Sequence, residues 1–251
     1  MDNTDKYRNL PSLTEHVKRK KDKDIPSLER AADEWIDLSM KNGLPYEVEW
    51  LGVPVIQTPQ DMILMQELIF RTQPDVVVDL GIGHGGSCIF YSSILELLGK
   101  GKVIGVDVDI REHNRKVLEA HPLYHRIELI QGSSISLETV AEVEKRIPSE
   151  SKVVVCLDSN HTKNHVLNEL KLYEKFVDVG SYMVVFDLFT PGIAKKGYFG
   201  EIYRNNGPRE ALDEFLNENH DFEIDKEYNK LFISYCIDGF LKRVNHSSKS
   251  L

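Results

Sequence analysis

The apolar positions of this chain change period several times, and those changes divide it into elements. Five short runs at 76–80, 103–106, 127–130, 153–157 and 182–186 are almost continuously apolar and rich in β-branched residues. Such runs predict strands covered on both faces, because a half-exposed strand would alternate apolar with polar positions. Helically spaced amphipathic stretches, such as 87–98 and 165–176, lie between them. Strand–helix alternation of this kind predicts a parallel sheet with right-handed crossovers.

The two ends depart from that rhythm. Residues 50–56 read as a short extended segment, after which Thr58-Pro59-Gln60-Asp61 opens a helix. Thr58 can cap it, Pro59 fits its first turn, and Asp61 suits its positive end. Met62, Met65, Leu68 and Ile69 keep helical spacing and are expected to face the core. Towards the C-terminus, 209–217 reads as a helix. Two strand-like runs, 222–228 and 231–237, then meet at Asn229-Lys230 as an antiparallel hairpin. The expected fold is one α/β, Rossmann-like domain over 45–243, with a mostly parallel seven-stranded sheet ending in that hairpin. An N-terminal arm and helical extension (1–44) precede it, and a tail (244–251) follows. Ala31, Trp35 and Leu38 fall at helical spacing, as a subunit contact or an ordinary packing helix would, and a homo-oligomer is expected.

Composition narrows the partners. Lys plus Arg is 31 against 40 Asp plus Glu, a net charge of −9, which argues against binding a nucleic-acid backbone. The mixed-sign run from Lys18 to Asp24 reads as a solvated arm. Cys88, Cys156 and Cys236 lie far apart in apolar surroundings, which suits buried thiols in a reducing compartment. The acidic N-terminus lacks the features of a signal peptide, and no apolar run is long enough to span a membrane. A cytoplasmic location is expected.

The first strand leads into Asp79-Leu80-Gly81-Ile82-Gly83-His84-Gly85-Gly86-Ser87. Glycines allow a sharp turn and a close ligand, and the free N–H groups of the helix that follows can bind a carboxylate. The spacing Gly81-x-Gly83-x-x-Gly86 also satisfies a dinucleotide fingerprint. Three features favour S-adenosylmethionine over nicotinamide or flavin: an acid two residues before the first glycine, the hairpin ending, and Gly132-Ser133-Ser134 after the third strand. In that reading Gly81, Gly83, Gly85, Gly86 and Ser87 cradle the methionine end and Asp79 pairs with its ammonium. Asp107 takes the ribose hydroxyls, and Ser133 lies on the adenine side.

Longer strings carry a resemblance. Val53-Pro54-Val55-Ile56-Gln57-Thr58-Pro59-Gln60-Asp61, Gln66-Glu67-Leu68-Ile69, Asp107-Val108-Asp109-Ile110-Arg111, Gly132-Ser133-Ser134-Ile135 and Leu157-Asp158-Ser159-Asn160-His161-Thr162 resemble the cephalosporin hydroxylase family. That family includes rhamnosyl O-methyltransferases, and the resemblance spans about 45 to 243. It implies a class I methyltransferase fold, S-adenosylmethionine, and often Mg²⁺ beside the acceptor, a small molecule or glycan. Transfer of a methyl group to a hydroxyl of a sugar or secondary metabolite is the leading expectation. The alternatives are a hydroxylase or its partner, and a non-catalytic cofactor-binding subunit. No iron triad of two His and one carboxylate is evident.

Asp158 and Asp187 fall at or just past the ends of predicted strands, where open α/β sheets bind ligands. Two converging carboxylates suit Mg²⁺, which would orient an acceptor hydroxyl and lower its pKa. Where family members that bind magnesium tend to carry an acidic pair, this chain has Phe186-Asp187-Leu188, which leaves a weak site, no site, or one completed by Asn160 or solvent. The competing reading is that both aspartates cap helices or pair with Lys or Arg. His161 is placed either as general base or as a hydrogen-bonding scaffold piece. His165 reads as structural, and His84 as shaping the cofactor pocket. The Gly-rich connection 189–200, with Lys195, Lys196, Tyr198 and Phe199, reads as a binding loop or as plain solvated chain.

Overall fold

The computed structural model describes residues 24–189 and 201–246. The run from Lys18 to Lys23, the lysines and aromatics of 190–200, and the last residues of the tail lie outside those segments. A tight hairpin of β1 (Glu49–Trp50) and β2 (Val53–Pro54) turns at Leu51-Gly52, both at positive φ. It replaces the single extended segment expected at 50–56. The sheet comprises β3 (Val76–Leu80), β4 (Lys102–Asp107), β5 (Ile127–Gln131), β6 (Val153–Leu157), β7 (Tyr182–Val185), β8 (Phe222–Ile224) and β9 (Phe240–Arg243). Its order is β5-β4-β3-β6-β7-β9-β8. The first five strands pair in parallel, and β9 runs antiparallel to both β7 and β8.

One expected strand is absent. Residues 231–237 form turns, β8 stops at Ile224, and Lys226–Asn229 is a 3₁₀ turn. The antiparallel partner is Phe240–Arg243 instead. Phe232 and Asp238 have φ of 62° and 64°, and such left-handed residues interrupt a strand. The apolar side chains there are used differently: Tyr235 and Cys236 are buried in tertiary contacts rather than in a ladder.

Helix α1 (Ile25–Lys41) packs beside helices α2 (Pro59–Thr72), α3 (Gly86–Leu98), α4 (Glu112–Ala120), α5 (Leu137–Arg146), α6 (Lys163–Tyr173) and α7 (Pro208–Glu218), which cover the sheet. Alternate strand residues feed two cores. Val77, Val103, Val154 and Val184 join α2 and α3 on one face. Val76, Val78, Ile104, Val155 and Val185 join α5, α6 and α7 on the other. This two-sided burial explains the unbroken apolar runs. Thr58 caps α2 as expected, its Oγ1 accepting from Asp61 N at 3.1 Å. Met62, Met65, Leu68 and Ile69 are buried, as are all three cysteines, which are free thiols. On α1 the inward residues are Ala32, Ile36 and Ser39, while Ala31, Trp35 and Leu38 face outward.

At the C-terminal edge of the sheet, each strand end is tied to its neighbour. Gly81 N donates to Val106 O, Gly132 N to Asp107 O and Asp158 N to Leu80 O, each at 2.8 Å, and Phe186 N donates to Leu157 O at 3.0 Å. Four loops are thereby gathered along one edge.

Candidate active site

A cavity of about 540 Å³ opens along that edge, a size suited to a small-molecule ligand. Gly81, Gly83, Gly86 and Ser87 line it, as do Asp107, Ser133, Asp158, His161 and Asp187. Residues drawn from five strand ends therefore meet in one space.

The glycine loop owes its shape to close packing. Gly81 has φ +92°, and a Cβ there would stand 2.2 Å from the carbonyl oxygen of Asp158. A Cβ on Gly86 would stand 2.2 Å from Pro54 O. The β1–β2 hairpin and the β6 loop thus press directly on the turn, and only glycine fits. Gly85 is the left-handed residue before α3 and packs on Leu118 outside the cavity lining. Asn114 Nδ2 holds the loop from α4 by donating to Gly83 O at 3.1 Å.

Asp107 accepts from Gly83 N at 3.0 Å through one carboxylate oxygen and from Asp109 N at 2.9 Å through the other. Each oxygen keeps acceptor capacity on the cavity side. Asp79 sits differently. It is 1% exposed, accepts from Ser87 Oγ at 2.6 Å and Cys88 Sγ at 3.4 Å, and does not line the cavity. Burial pushes its carboxyl up to about 6. Its direct role in the structure is to anchor the first turn of α3 through Ser87. Ser134 Oγ lies 2.9 Å from His165 Nε2, which is 3.4 Å from the buried Glu169. His165 and His84 also line the cavity.

At the other end stand Asp158, His161 and Asp187. They offer three ligand atoms within 4.8 Å of one another, and His161 Nε2 is 3.1 Å from Asp187 Oδ2. Burial raises the Asp158 pKa well above the usual carboxylate range, and the charges of Asp187 and Asp79 raise it further. Burial also raises that of Asp187, while His161 opposes the shift. Among the described residues no Lys or Arg forms a salt bridge with either aspartate. Neither caps a helix among the described residues: Thr162 stands at the N-cap of α6, and Asn160 Oδ1 accepts from Thr162 N at 3.0 Å. Asp187 has φ +56°, an uncommon conformation for a non-glycine residue, between the bonded amides of Phe186 and Leu188. Phe186 is 2% exposed and packs in the core, so it contributes nothing to this centre.

Several lining residues escaped sequence reasoning. Gln57 is buried, donates to Tyr91 Oη at 3.2 Å and lines the cavity, together with Met40, Pro45, Tyr46 and Tyr235. Asp61 was read as a helix-end charge. It is instead fully buried and accepts from Thr58 Oγ1 at 2.8 Å, Tyr235 N at 2.8 Å and Ser234 Oγ. Its helical alignment with Leu64, Met65 and Leu68 was the available signal, because it puts a carboxylate on a buried stripe.

Known proteins share this arrangement of elements. The chain is similar to an apo structure of CmcI, with a TM-score of 0.57 and 20% identity over 80% of this chain and 78% of that one. A Mg–SAM structure of CmcI gives 0.55 and 19%, again over 80% and 78%. An O-methyltransferase from Bacillus cereus in complex with SAH gives 0.52 and 15%, over 84% and 86%. At such identities the likeness shows the fold, that of class I methyltransferases. In sequence, the chain is 32% identical over 202 residues to the rhamnosyl O-methyltransferase of Mycobacterium tuberculosis (strain ATCC 25618 / H37Rv), covering 77% of each. It is 30% identical over 199 residues to that of Mycobacterium leprae (strain TN), covering 77% of this chain and 82% of that one. The family model described as rhamnosyl O-methyltransferase/CmcI matches residues 42–244, and the chain belongs to that family.

Proposed function

We propose that the protein is an S-adenosylmethionine-dependent O-methyltransferase that acts on a sugar hydroxyl. The observation that carries this reading is one cavity joining a glycine loop, a ribose-type carboxylate and the Asp158–His161–Asp187 centre. Family membership and the rhamnosyl O-methyltransferase relatives supply the donor and the class of acceptor.

In the proposed arrangement Gly81, Gly83, Gly86 and Ser87 surround the methionine end, and the free N–H groups at the start of α3 meet its carboxylate. Asp107 holds the ribose, Ser133 flanks the adenine, and Asp79 acts through Ser87 on the loop. Methyl transfer is an in-line displacement: the acceptor oxygen forms the new C–O bond, and the C–S bond breaks with its electron pair left on sulfur. Positioning of oxygen, methyl and sulfur therefore supplies much of the rate. Asp187, whose Oδ2 lies 3.1 Å from His161 Nε2, orients the imidazole so that His161 takes the acceptor proton.

Mg²⁺ fits the centre on the chemistry of its donors, since Asp158 and Asp187 are oxygen ligands whose charge no Lys or Arg offsets among the described residues. When bound, it would lower the pKa of the acceptor hydroxyl and fix its oxygen. Asp158 and Asp187 would hold it, with Asn160 beside them in the lining.

The outward apolar face of α1, with Leu28, Trp35 and Leu38 exposed, supports a homo-oligomer. The buried free thiols support a cytoplasmic location, and no helix among the described residues is long and apolar enough to cross a membrane. Calorimetric titration with S-adenosylhomocysteine, with and without Mg²⁺, tests the central reading. Micromolar binding that Asp107→Ala weakens about 30-fold is expected; no binding under either condition would refute it.

A further inference from the structure

Beyond the carboxylates the cavity changes character. Its far wall is built by Met40, Pro45, Tyr46, Phe189 and Tyr235, five apolar or aromatic residues from three remote stretches of chain. Asp107 and Ser133 lie in the glycine-loop half, so the adenosine end is already accounted for, and this wall borders the reacting centre instead. Phe189 follows Asp187 by two residues. Its ring rests on Tyr235, with centroids 4.3 Å apart and planes tilted by 38°.

The wall is held from behind. Ile36 and Met40 of α1 complete a small core with Tyr235, Phe189 and Ile233, separate from the two cores of the sheet. Tyr235 is 3% exposed and its hydroxyl lies 3.4 Å from Met40 Sδ. Leu188 N donates to Tyr235 O at 2.9 Å, which ties the Phe189 stretch to the β8–β9 connection. Asp61 grips the same connection from α2, accepting from Tyr235 N and Ser234 Oγ. Tyr46, by contrast, is 64% exposed at the rim. Such a surface is preorganised where it is buried and free to meet a ligand where it is open.

A pyranose ring carries hydroxyls around its rim and C–H bonds on its faces. An aromatic face buries the C–H surface while leaving the hydroxyls to polar groups. We propose that Phe189, backed by Tyr235 and Met40 and flanked by Tyr46, is the platform on which the acceptor sugar lies, with its reactive hydroxyl directed to the Asp158–His161–Asp187 centre. The N-terminal extension then belongs to the acceptor site, and Asp61 is a positioning residue that sets the platform through Tyr235. This inference rests on the sugar O-methyltransferase reading above and adds the residues that recognise the acceptor.

The test uses the full chain loaded with S-adenosylhomocysteine and probed by saturation-transfer NMR. The probes are methyl α-L-rhamnoside, methyl α-L-fucoside and methyl β-D-glucoside. Transfer to the C–H protons of one ring face is expected in the wild type for at least one glycoside. Phe189→Ala and Tyr46→Ala should lower it about fivefold, Phe189→Tyr should retain it, and the Kd for S-adenosylhomocysteine should stay within about twofold. With a turned-over glycoside, Asp61→Asn should raise the acceptor KM while leaving kcat near the wild-type value. Unchanged transfer in both alanine variants, or equal loss of cofactor and glycoside binding, would overturn the platform. No transfer from any glycoside to the wild type would overturn it too. Intact binding of S-adenosylhomocysteine in that case leaves the methyltransferase reading standing, and its absence takes both down.

Discussion

The two ends of the cavity are built on different plans. The half proposed for the cofactor comes from one continuous stretch, β3 to the start of α5, and presents largely backbone: the turn of Gly81 and Gly83, the N-terminus of α3, and Asp107 held by two amides. The half proposed for the acceptor comes from five separated places: residues 40–46, Gln57, 158–161, 187–189 and Tyr235. It presents side chains, and among the described residues no Lys or Arg forms a salt bridge with its two aspartates. A cofactor shared by many enzymes can be held by backbone geometry, which side-chain substitution scarcely alters. An acceptor that differs among relatives is better met by side chains, which can vary without disturbing the sheet.

The sharpest way to break that contrast is at the point where the halves touch. Gly81→Val would drive a side chain into the Asp158 backbone from a positive-φ position. A loss of roughly 100-fold or more in affinity for S-adenosylhomocysteine is expected, with a fall in Tm of several degrees, read by calorimetry and thermal melting. Asp107→Ala should weaken the same affinity by about 30-fold, the loss of charge-assisted hydrogen bonds, while leaving divalent-cation binding unchanged. On the acceptor side, His161→Gln should cut kcat by about 10² to 10⁴, the usual range for general-base catalysis. The cofactor Kd should hardly move, and a parallel fall in both would show that the two halves are not separable.

The smallest expected effect is a gain. Asp158→Asn removes a carboxyl whose ionisation burial and like charge disfavour, so the metal-free protein should melt a few degrees higher at pH 7.5 while losing activity. The same logic predicts a pH dependence. Asp61 and Asp79 have folded pKa values raised to about 6, above the unfolded value near 4. Between these values the folded state binds more protons than the unfolded state, so stability falls as pH rises through the window and the cost is complete above about 6. Metal-free protein should therefore melt higher at pH 5 than at pH 7.5, and an Asp61→Asn variant should show a weaker dependence. A rise in Tm with pH over that range would contradict the buried acidic network.

Legibility followed the same division. The strands β3 and β6 begin and end where their apolar runs predict, and Thr58, Pro59 and the glycine loop announce their turns locally. The span 231–237 is as apolar as a strand, yet it folds into turns. Its residues are spent on Asp61 and on the small core against α1, a demand no local pattern encodes. Asp79 illustrates a subtler limit. Its place before the glycine loop was evident, but its orientation was not, and its carboxylate accepts from Ser87 Oγ rather than facing the cavity.

Short-range physics thus settled in the sequence itself the strand segments and their two covered faces, the glycine turn and the carboxylates at the strand ends, since each depends on residues within a few positions of one another. Only tertiary structure decided that His161 meets Asp187, that Phe186 turns into the core, that Asp61 anchors Tyr235, and that α1 helps to build the aromatic wall of the cavity. Those contacts join residues tens to nearly two hundred positions apart, and their energies come from burial and pairing that exist only once the chain has closed around them.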